Sequence, residues 1–349
     1  MDLSFYKNKK VFITGHTGFK GTWLCRILLQ AGAEVTGYAL EPPTTPSLYE
    51  QTKTDKDIYA IMGDVRDRNA LISATLQAKP DIMFHLAAQP LVRLSYREPA
   101  ATYETNVMGT VNILEAALLS PNVCSFVNIT TDKVYENKEW HWGYRENENL
   151  CGFDPYSNSK SCSELATYSY RNAFFSGKDA PAVSTARSGN VIGGGDYAED
   201  RVIPDCIRAA GAGKEIILRN PHSIRPYQHV LDCLSGYLLL AEKQYNDKSL
   251  EGSYNFGPDD DSCVTTGMLA ELFCSTWGHG VSWTAQEDSG PHEANFLKLD
   301  CSKAKVVLGW KPSWSIKMAV ERTVEFAKNS ADKDCGDCVE SQIKEYFNV

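Results

Sequence analysis

In "DPYSNSKSCSE", Tyr156 and Lys160 are four residues apart, so on a helix both project from one face. An ammonium beside a phenol stabilises the phenolate and makes the tyrosine a usable base for an alcohol proton. The same spacing also arises where a packed tyrosine merely neighbours a solvated lysine, so the surrounding sequence must separate the two readings. Upstream, "NITTDKVYE" places Thr130 and Thr131 at the carboxyl end of a strand-like run, where open α/β sheets hold their ligands. Asp132 and Lys133 follow at once. A carboxyl and an amine side by side can serve as acid and base, or can be two solvated charges in a strand-end turn.

A second cluster lies in "KKVFITGHTGFKGTWL". Val11, Phe12 and Ile13 read as a buried strand, Gly15-x-x-Gly18-x-x-Gly21 interrupts the apolar pattern, and a helical run over 18–31 follows. A strand, a glycine turn and a helix in this order suit a dinucleotide pyrophosphate, because glycines admit close backbone approach and the helix N-terminus favours negative charge. The spacing differs from the commoner Gly-x-Gly-x-x-Gly. The acidic residue that would hold the adenosine ribose is expected near Ala39, with Glu41 two positions on, so the residues leave NAD and NADP both open. Asp64, after "YAIMG", suits the adenine amino group or the N-cap of the next helix.

The elements that must position these groups alternate along the first half. Strand-like "VFITG", "EVTGYAL", "YAIMGDV", "DIMFHLAA" and "SFVNITT" are separated by helical runs over 18–31, 67–78 and 100–119. That rhythm predicts an α/β fold, a doubly wound parallel sheet covered on both faces. "AVSTARSGNVIG" reads as a further strand after a helix over 157–175, and "GGGDYAEDRVIP" crosses into a region of weaker periodicity. "PYQHVLDCLSGYLLLAEKQ" returns to a helical pattern that can pack back on the sheet. The expected division is a dinucleotide-binding Rossmann domain over 1–190 plus about 226–255. A smaller interleaved α/β substrate domain takes 191–225 and 256–349.

Composition narrows the function. With 349 residues, 43% hydrophobic and 23% charged, the chain is an ordinary globular one, and no apolar run approaches the roughly 20 residues of a membrane helix. The opening "MDLSFYKNKK" lacks the apolar core of a secretory signal, which places the expectation in the cytoplasm. A net charge of −9 opposes a nucleic-acid surface. The eleven cysteines are odd in number and mostly scattered in apolar settings, as reduced core thiols are. Cys335 and Cys338 have Cys-x-x-Cys spacing without a second pair or a nearby histidine, so a solvent-exposed tail turn is expected there and no metal.

Taken together, Gly15-x-x-Gly18-x-x-Gly21, Asp64-Val65, "HLAAQ" at 85–89, "TNVMGT" at 105–110, Thr131 and Tyr156-x-x-x-Lys160 resemble the extended short-chain dehydrogenase/reductase family over nearly the whole chain. The resemblance implies a Rossmann domain with a C-terminal nucleotide-sugar domain, and Thr131, Tyr156 and Lys160 as a catalytic triad. It also implies a homodimer, or a dimer of dimers, built through a four-helix bundle. It implies NAD held by Gly15, His16, Thr17, Gly18, Phe19, Gly21, Asp64, Val65, Leu86, Ala87, Ala88 and Thr130 together with Tyr156 and Lys160.

Within that family, "ITGHTGFKG", "AAQPLVRLSY", "TTDKVYEN" and "DPYSNSKSCSE" look like the sugar-nucleotide 4,6-dehydratases that act on CDP-glucose, in which Asp-Lys stands where other dehydratases have Asp-Glu. His16, Phe19 and Lys20 belong to that likeness. It implies that Tyr156 takes the carbon-4 hydroxyl proton while hydride passes to NAD. Lys133 then removes the carbon-5 proton, Asp132 protonates the leaving carbon-6 hydroxyl, and the hydride returns to carbon 6. Lys133 serves as base only where burial or the Lys160 cation makes its proton easy to lose.

Asn190 and Arg225 occupy positions where relatives grip the diphosphate, and Arg201 lies where they contact the nucleotide, although each could be a surface side chain. His292, a lone histidine among polar loop residues, is the weakest substrate candidate. The rivals are a nucleotide-sugar 4-epimerase or decarboxylase, a simple reductase that consumes NADH, and a non-catalytic NAD-binding regulatory protein. Asp132-Lys133 opposes the epimerase, and retention of Tyr156 and Lys160 opposes the silent binder.

Overall fold

A computed structural model describes residues 1–286, 295–330 and 335–348. His292 lies outside the described residues. The strands are β1 (Lys10–Thr14), β2 (Glu34–Ala39), β3 (Tyr59–Met62), β4 (Ile82–His85), β5 (Ser125–Ile129), β6 (Ala182–Ser188), β7 (Val191–Ile192), β8 (Ile216–Leu218), β9 (Ile224–Pro226), β10 (Gln228–His229), β11 (Ser253–Phe256), β12 (Cys263–Thr265) and β13 (Trp283–Ala285). The helices are α1 (Phe19–Gln30), α2 (Leu48–Gln51), α3 (Arg68–Ala78), α4 (Val92–Arg97), α5 (Pro99–Tyr103), α6 (Gly109–Leu119), α7 (Pro155–Ala173), α8 (Val202–Gly211), α9 (Val230–Asn246), α10 (Thr266–Trp277), α11 (Ile316–Asn329) and α12 (Cys335–Phe347).

A parallel seven-stranded sheet in the order β11-β6-β5-β4-β1-β2-β3 organises the fold. Its central strands β4 and β5 are buried along their whole length, which explains their unbroken apolar runs. One apolar core lies where β1 meets α1, α9 and α12, and a second lies where α3 and α6 cover the other face. A third, around Ile203, Leu218, Phe273 and Val320, joins α8, β8, α10 and α11 away from the sheet. The order reverses between β1 and β4, so the carboxyl ends of these two strands open a crevice in which a ligand can lie.

The structure departs from the sequence reading in four places. The run over 100–119 is three pieces, with a π-helical turn at Glu104–Met108 between α5 and α6. The run "AVSTARSGNVIG" divides at Gly189-Asn190 into β6, in the sheet, and β7, which pairs with β10. After α9, which returns to the sheet as its pattern suggests, β11 adds a seventh strand that no strong alternation announced. Cys335 and Cys338 form no exposed tail turn. They begin α12, with Cys335 buried, because the helix turns an apolar face (Val339, Ile343, Phe347) onto the main core.

Candidate active site

The glycine turn closes tightly onto the end of β4. Gly15 has φ +79°, and a Cβ on it would stand 2.7 Å from the Ala87 nitrogen. A Cβ on Gly21 would run into the Gly15 carbonyl oxygen, whereas one on Gly18 would meet nothing nearer than that oxygen at 3.5 Å. Gly18 is also the N-cap of α1 and offers no side chain to its free N–H groups. A backbone cradle without side chains of its own at the start of a twelve-residue helix therefore fits a pyrophosphate.

The other residues expected there surround it. Leu86 N and Ala87 N bond to Thr14, at 3.0 and 3.3 Å, and Ala88 follows them half-buried. Thr17 donates to the Leu40 carbonyl at 2.9 Å, Phe19 lies under Gly193, and Val65 packs on Gly109. His16 is wholly enclosed between Tyr49 and Gly37, and burial pulls its imidazole down to about 4. Asp64 is not the helix cap: Asp67 caps α3, while Asp64 grips Arg66 Nε at 2.9 Å, which holds its carboxyl below the usual range.

Helix α7 begins two residues before the run over 157–175 expected from the sequence, because Asp154 caps it by accepting from Ser157 N at 2.9 Å and Pro155 suits its first turn. It delivers Tyr156 and Lys160, both buried, beneath the end of β5. There Thr131 caps a short 3-10 turn, Asp132–Val134, and donates to Asp132 Oδ1 at 3.0 Å. Lys133 Nζ reaches the same oxygen at 3.1 Å and Asn190 Oδ1 at 3.4 Å. Asp132 is fully buried, and its Oδ2, beside Gly189, has no hydrogen-bond partner among the described residues. A buried carboxyl oxygen without a donor is suited to take or give a proton to something that enters the site.

The electrostatics differ from the sequence expectation in one respect. Burial holds the Tyr156 phenol above its ordinary value, and the charge that most opposes burial is Lys133. Lys160 donates to the Ile129 carbonyl at 3.2 Å, and burial followed by the nearby Lys20 cation pulls it down to about 8. Lys20, from the first turn of α1, reaches Ser188 Oγ at 3.0 Å and Tyr237 OH at 3.3 Å, which brings the glycine turn into this polar cluster. From the sequence Lys20 reads as a residue of the glycine loop; its place in the first turn of α1, one turn before the buried Trp23 and Leu24, is the signal for this second role.

Of the anion-gripping candidates, Arg201 pairs with Asp196 at 2.9 Å and acts electrostatically on Tyr156. Asn190 lies against Lys133, and Arg225 is buried on β9, where it donates to the Ile224 carbonyl at 3.0 Å. The structure therefore brings Thr131, Asp132, Lys133, Tyr156, Asn190 and Arg201 into one charged group. Among the described residues no group of three or more His, Cys, Asp or Glu could hold a metal ion, and no helix is long and apolar enough to cross a membrane.

The chain is similar to known proteins over nearly its whole length. A family model described as GDP-mannose 4,6-dehydratase matches residues 12–323. The chain is 46% identical to a CDP-glucose 4,6-dehydratase of Salmonella typhimurium, over all of this chain and 99% of that protein. It is 28% identical to a dTDP-glucose 4,6-dehydratase of Streptomyces antibioticus, over 92% of each. Among solved structures, a UDP-glucose 4-epimerase of Thermotoga maritima superposes with a TM-score of 0.79 at 22% identity, covering 92% of this chain and 99% of that one. A dTDP-glucose 4,6-dehydratase of Bacillus anthracis superposes at 0.77 with 20% identity, covering 94% and 99%. The two structural likenesses establish the fold, which epimerases and dehydratases share.

Proposed function

The chain belongs to the GDP-mannose 4,6-dehydratase family, and from that premise we propose that it is a hydro-lyase converting CDP-glucose to CDP-4-keto-6-deoxyglucose and water. The carrying observation is the Thr131-Asp132-Lys133 turn, which sets a buried acid and an amine against Tyr156. A 4-epimerase has to remove and return one hydride at carbon 4, for which Tyr156 suffices. Elimination across carbons 5 and 6 needs an acid and a base besides. The choice of cytidine rests on the 46% identity to the Salmonella enzyme, which is named for CDP-glucose.

The cradle of Gly15, Gly18 and Gly21 would hold the pyrophosphate of NAD, with His16, Thr17, Phe19, Asp64, Val65, Leu86, Ala87, Ala88 and Thr130 around the rest. Bound NAD supplies a reversible hydride acceptor, so the reaction has no net redox change. Tyr156 takes the carbon-4 hydroxyl proton as hydride leaves carbon 4. The resulting ketone acidifies carbon 5, Lys133 takes its proton, and Asp132 gives one to the departing carbon-6 oxygen; carbon 6 then takes the hydride back while Lys133 returns a proton to carbon 5. Asn190 and Arg225 would face the diphosphate, and Arg201 the nucleotide.

The interleaved division, 1–190 with about 226–255 against the remainder, agrees with a third apolar core apart from the sheet. Exposed Leu118 and Leu119 on α6 and Leu165 and Tyr168 on α7 suit a homodimer joined through these helices.

Mass spectrometry of the purified protein with NAD and, separately, CDP-, UDP-, GDP- and dTDP-glucose tests the reading. Loss of one water from CDP-glucose alone is expected. Unchanged mass with a new epimer would make the chain an epimerase.

A further inference from the structure

Helix α7 carries a third polar residue at the same interval: Tyr156, Lys160 and Glu164 are each four positions apart on one face. Glu164 is 2% exposed, and both of its oxygens are filled. Oε1 accepts from Thr130 Oγ1 and from Arg187 Nε at 2.9 Å; Oε2 accepts from Thr185 Oγ1 and Arg187 Nη2, each at 2.7 Å. Arg187 in turn donates to Tyr135 OH at 2.9 Å and lies over its ring at 5.1 Å.

These contacts bracket the reacting turn. Thr130 immediately precedes Thr131-Asp132-Lys133, and Tyr135 immediately follows Val134. Glu164 holds the first end directly and the second through Arg187. Arg187 is also the neighbour of Ser188, which receives Lys20, and Gly189 backs onto Asp132 Oδ2. One carboxylate therefore ties α7, β5 and β6 together beneath the site. We propose that Glu164 is a positioning residue for the dehydration, fixing the Thr131–Val134 turn and supplying the negative charge that faces Lys160 from below.

The carboxylate is required in its charged form. A glutamine of equal size would present one carbonyl oxygen and an amide N–H₂ to four donors, leaving two unmet and the Arg187 charge uncompensated. Burial would by itself raise the Glu164 carboxyl, yet Arg187 overcomes it and holds the group below its usual range. Around Lys160 stand Lys20 from α1, His85 from β4, the Ile129 carbonyl of β5, and Tyr156 and Glu164 on its own helix. His85 is held neutral by burial, so Glu164 is the counter-charge that offsets Lys20. Removing it lowers Lys160 further, and the alkaline limb of kcat moves to lower pH.

This inference rests on the proposed dehydratase reading, and its test separates the two. Glu164→Gln, Glu164→Asp and Thr130→Val are assayed for CDP-glucose dehydration against pH. In parallel, Lys160 is titrated by NMR of [13Cε]lysine-labelled protein, its resonance assigned by its loss in Lys160→Met. Expected for Glu164→Gln is a fall in kcat of about tenfold or more with KM nearly unchanged, an alkaline limb at lower pH, and a Lys160 titration displaced the same way. Glu164→Asp restores the limb and the titration with partial kcat. Thr130→Val, which leaves the Glu164–Arg187 pair intact and so remains informative if Glu164→Gln does not fold, lowers kcat about tenfold without moving the titration. An unmoved Lys160 titration in Glu164→Gln, or full kcat per folded enzyme in Thr130→Val, overturns the proposal. A wild-type enzyme that dehydrates no nucleotide sugar overturns the dehydratase reading, and the lysine titration still decides whether Glu164 acts on Lys160.

Discussion

Lys133 Nζ and Asp132 Oδ1 lie 3.1 Å apart, so the base and the acid proposed for one elimination are in direct contact. That contact has a chemical use. On the proposed reaction, elimination would leave Lys133 with the proton from carbon 5, Tyr156 with the one from the carbon-4 hydroxyl, and Asp132 without the one it gave to water. Lys133 would return its proton to carbon 5 as hydride goes back to carbon 6, and the Tyr156 proton, relayed through Lys133 across the contact, would restore Asp132 for the next turnover. Asn190 steadies the amine at 3.4 Å, and the unpartnered Asp132 Oδ2 remains for the substrate oxygen.

Lys133→Ala separates elimination from oxidation. Tyr156 still takes the carbon-4 proton, so substrate is oxidised and reduced cofactor accumulates, while no deuterium enters carbon 5 from heavy water. Turnover falls by about 10²–10⁴, the range for loss of a positioned base. Rapid-quench product analysis with NADH absorbance reads both steps. Normal turnover would remove Lys133 from the mechanism.

Tyr156→Phe stops the reaction one step earlier. Burial already holds the phenol above its ordinary value, and Lys133 and the Thr131 hydroxyl oppose that burial. Loss of the hydroxyl is expected to leave no reduced cofactor on mixing with substrate and a fall in kcat of about 10²–10⁴. Substrate affinity by calorimetry changes little. A variant that still reduces its cofactor would show that another group takes the proton.

Acid weakens the fold through buried imidazoles. His16 is held at about 4, and His85 and His229 at about 3, each by burial. Folded values below the unfolded value of about 6.5 mean that the unfolded chain binds more protons, so this stability is complete above about pH 6.5 and is lost as pH falls. At about pH 5 each histidine costs roughly 2 kcal/mol. Asp232, raised to about 6 by burial, acts oppositely by taking up its proton in the folded state, and it offsets part of one histidine. Urea unfolding at pH 7 and pH 5 should show lower stability at pH 5, with the difference reduced in His229→Gln. A flat profile would mean that these imidazoles are protonated within the fold.

Short-range signals made much of this architecture legible. The strand-turn-helix at Gly15–Gly21 and the Tyr156/Lys160 spacing appear where local pattern puts them, because backbone geometry within one turn decides them. What depends on distant partners was not legible. The sequence shows Glu164 one turn beyond Lys160, but not that Thr130, Thr185 and Arg187 converge on it from two strands. The sequence puts Asn190 at the diphosphate, and its contact with Lys133 emerges only because β6 ends at Ser188. The ordinary separation of Tyr156 from Lys160 likewise gave no sign that Lys160 turns to the Ile129 carbonyl.

The three glycines of the opening turn look equivalent in sequence and differ in what surrounds them. Gly21 is enclosed by backbone, where a methyl group would meet the Gly15 carbonyl oxygen and His16 Cα, the latter at 2.8 Å. Gly18 has φ −78° and ψ 168°, which alanine adopts freely, and its open side faces the cradle. Gly21→Ala is therefore expected to destabilise the fold by about 1–3 kcal/mol, the cost of overpacking, since rigid backbone must shift to admit the methyl. Gly18→Ala should fold with nearly wild-type thermal stability and bind NAD about tenfold more weakly or worse, because the methyl stands where the pyrophosphate must approach. Thermal melts with and without NAD distinguish the two: Gly21→Ala melts low in both, whereas Gly18→Ala melts normally alone and loses the rise that cofactor gives the wild type. A Gly18→Ala protein with undiminished cofactor stabilisation would place the pyrophosphate elsewhere.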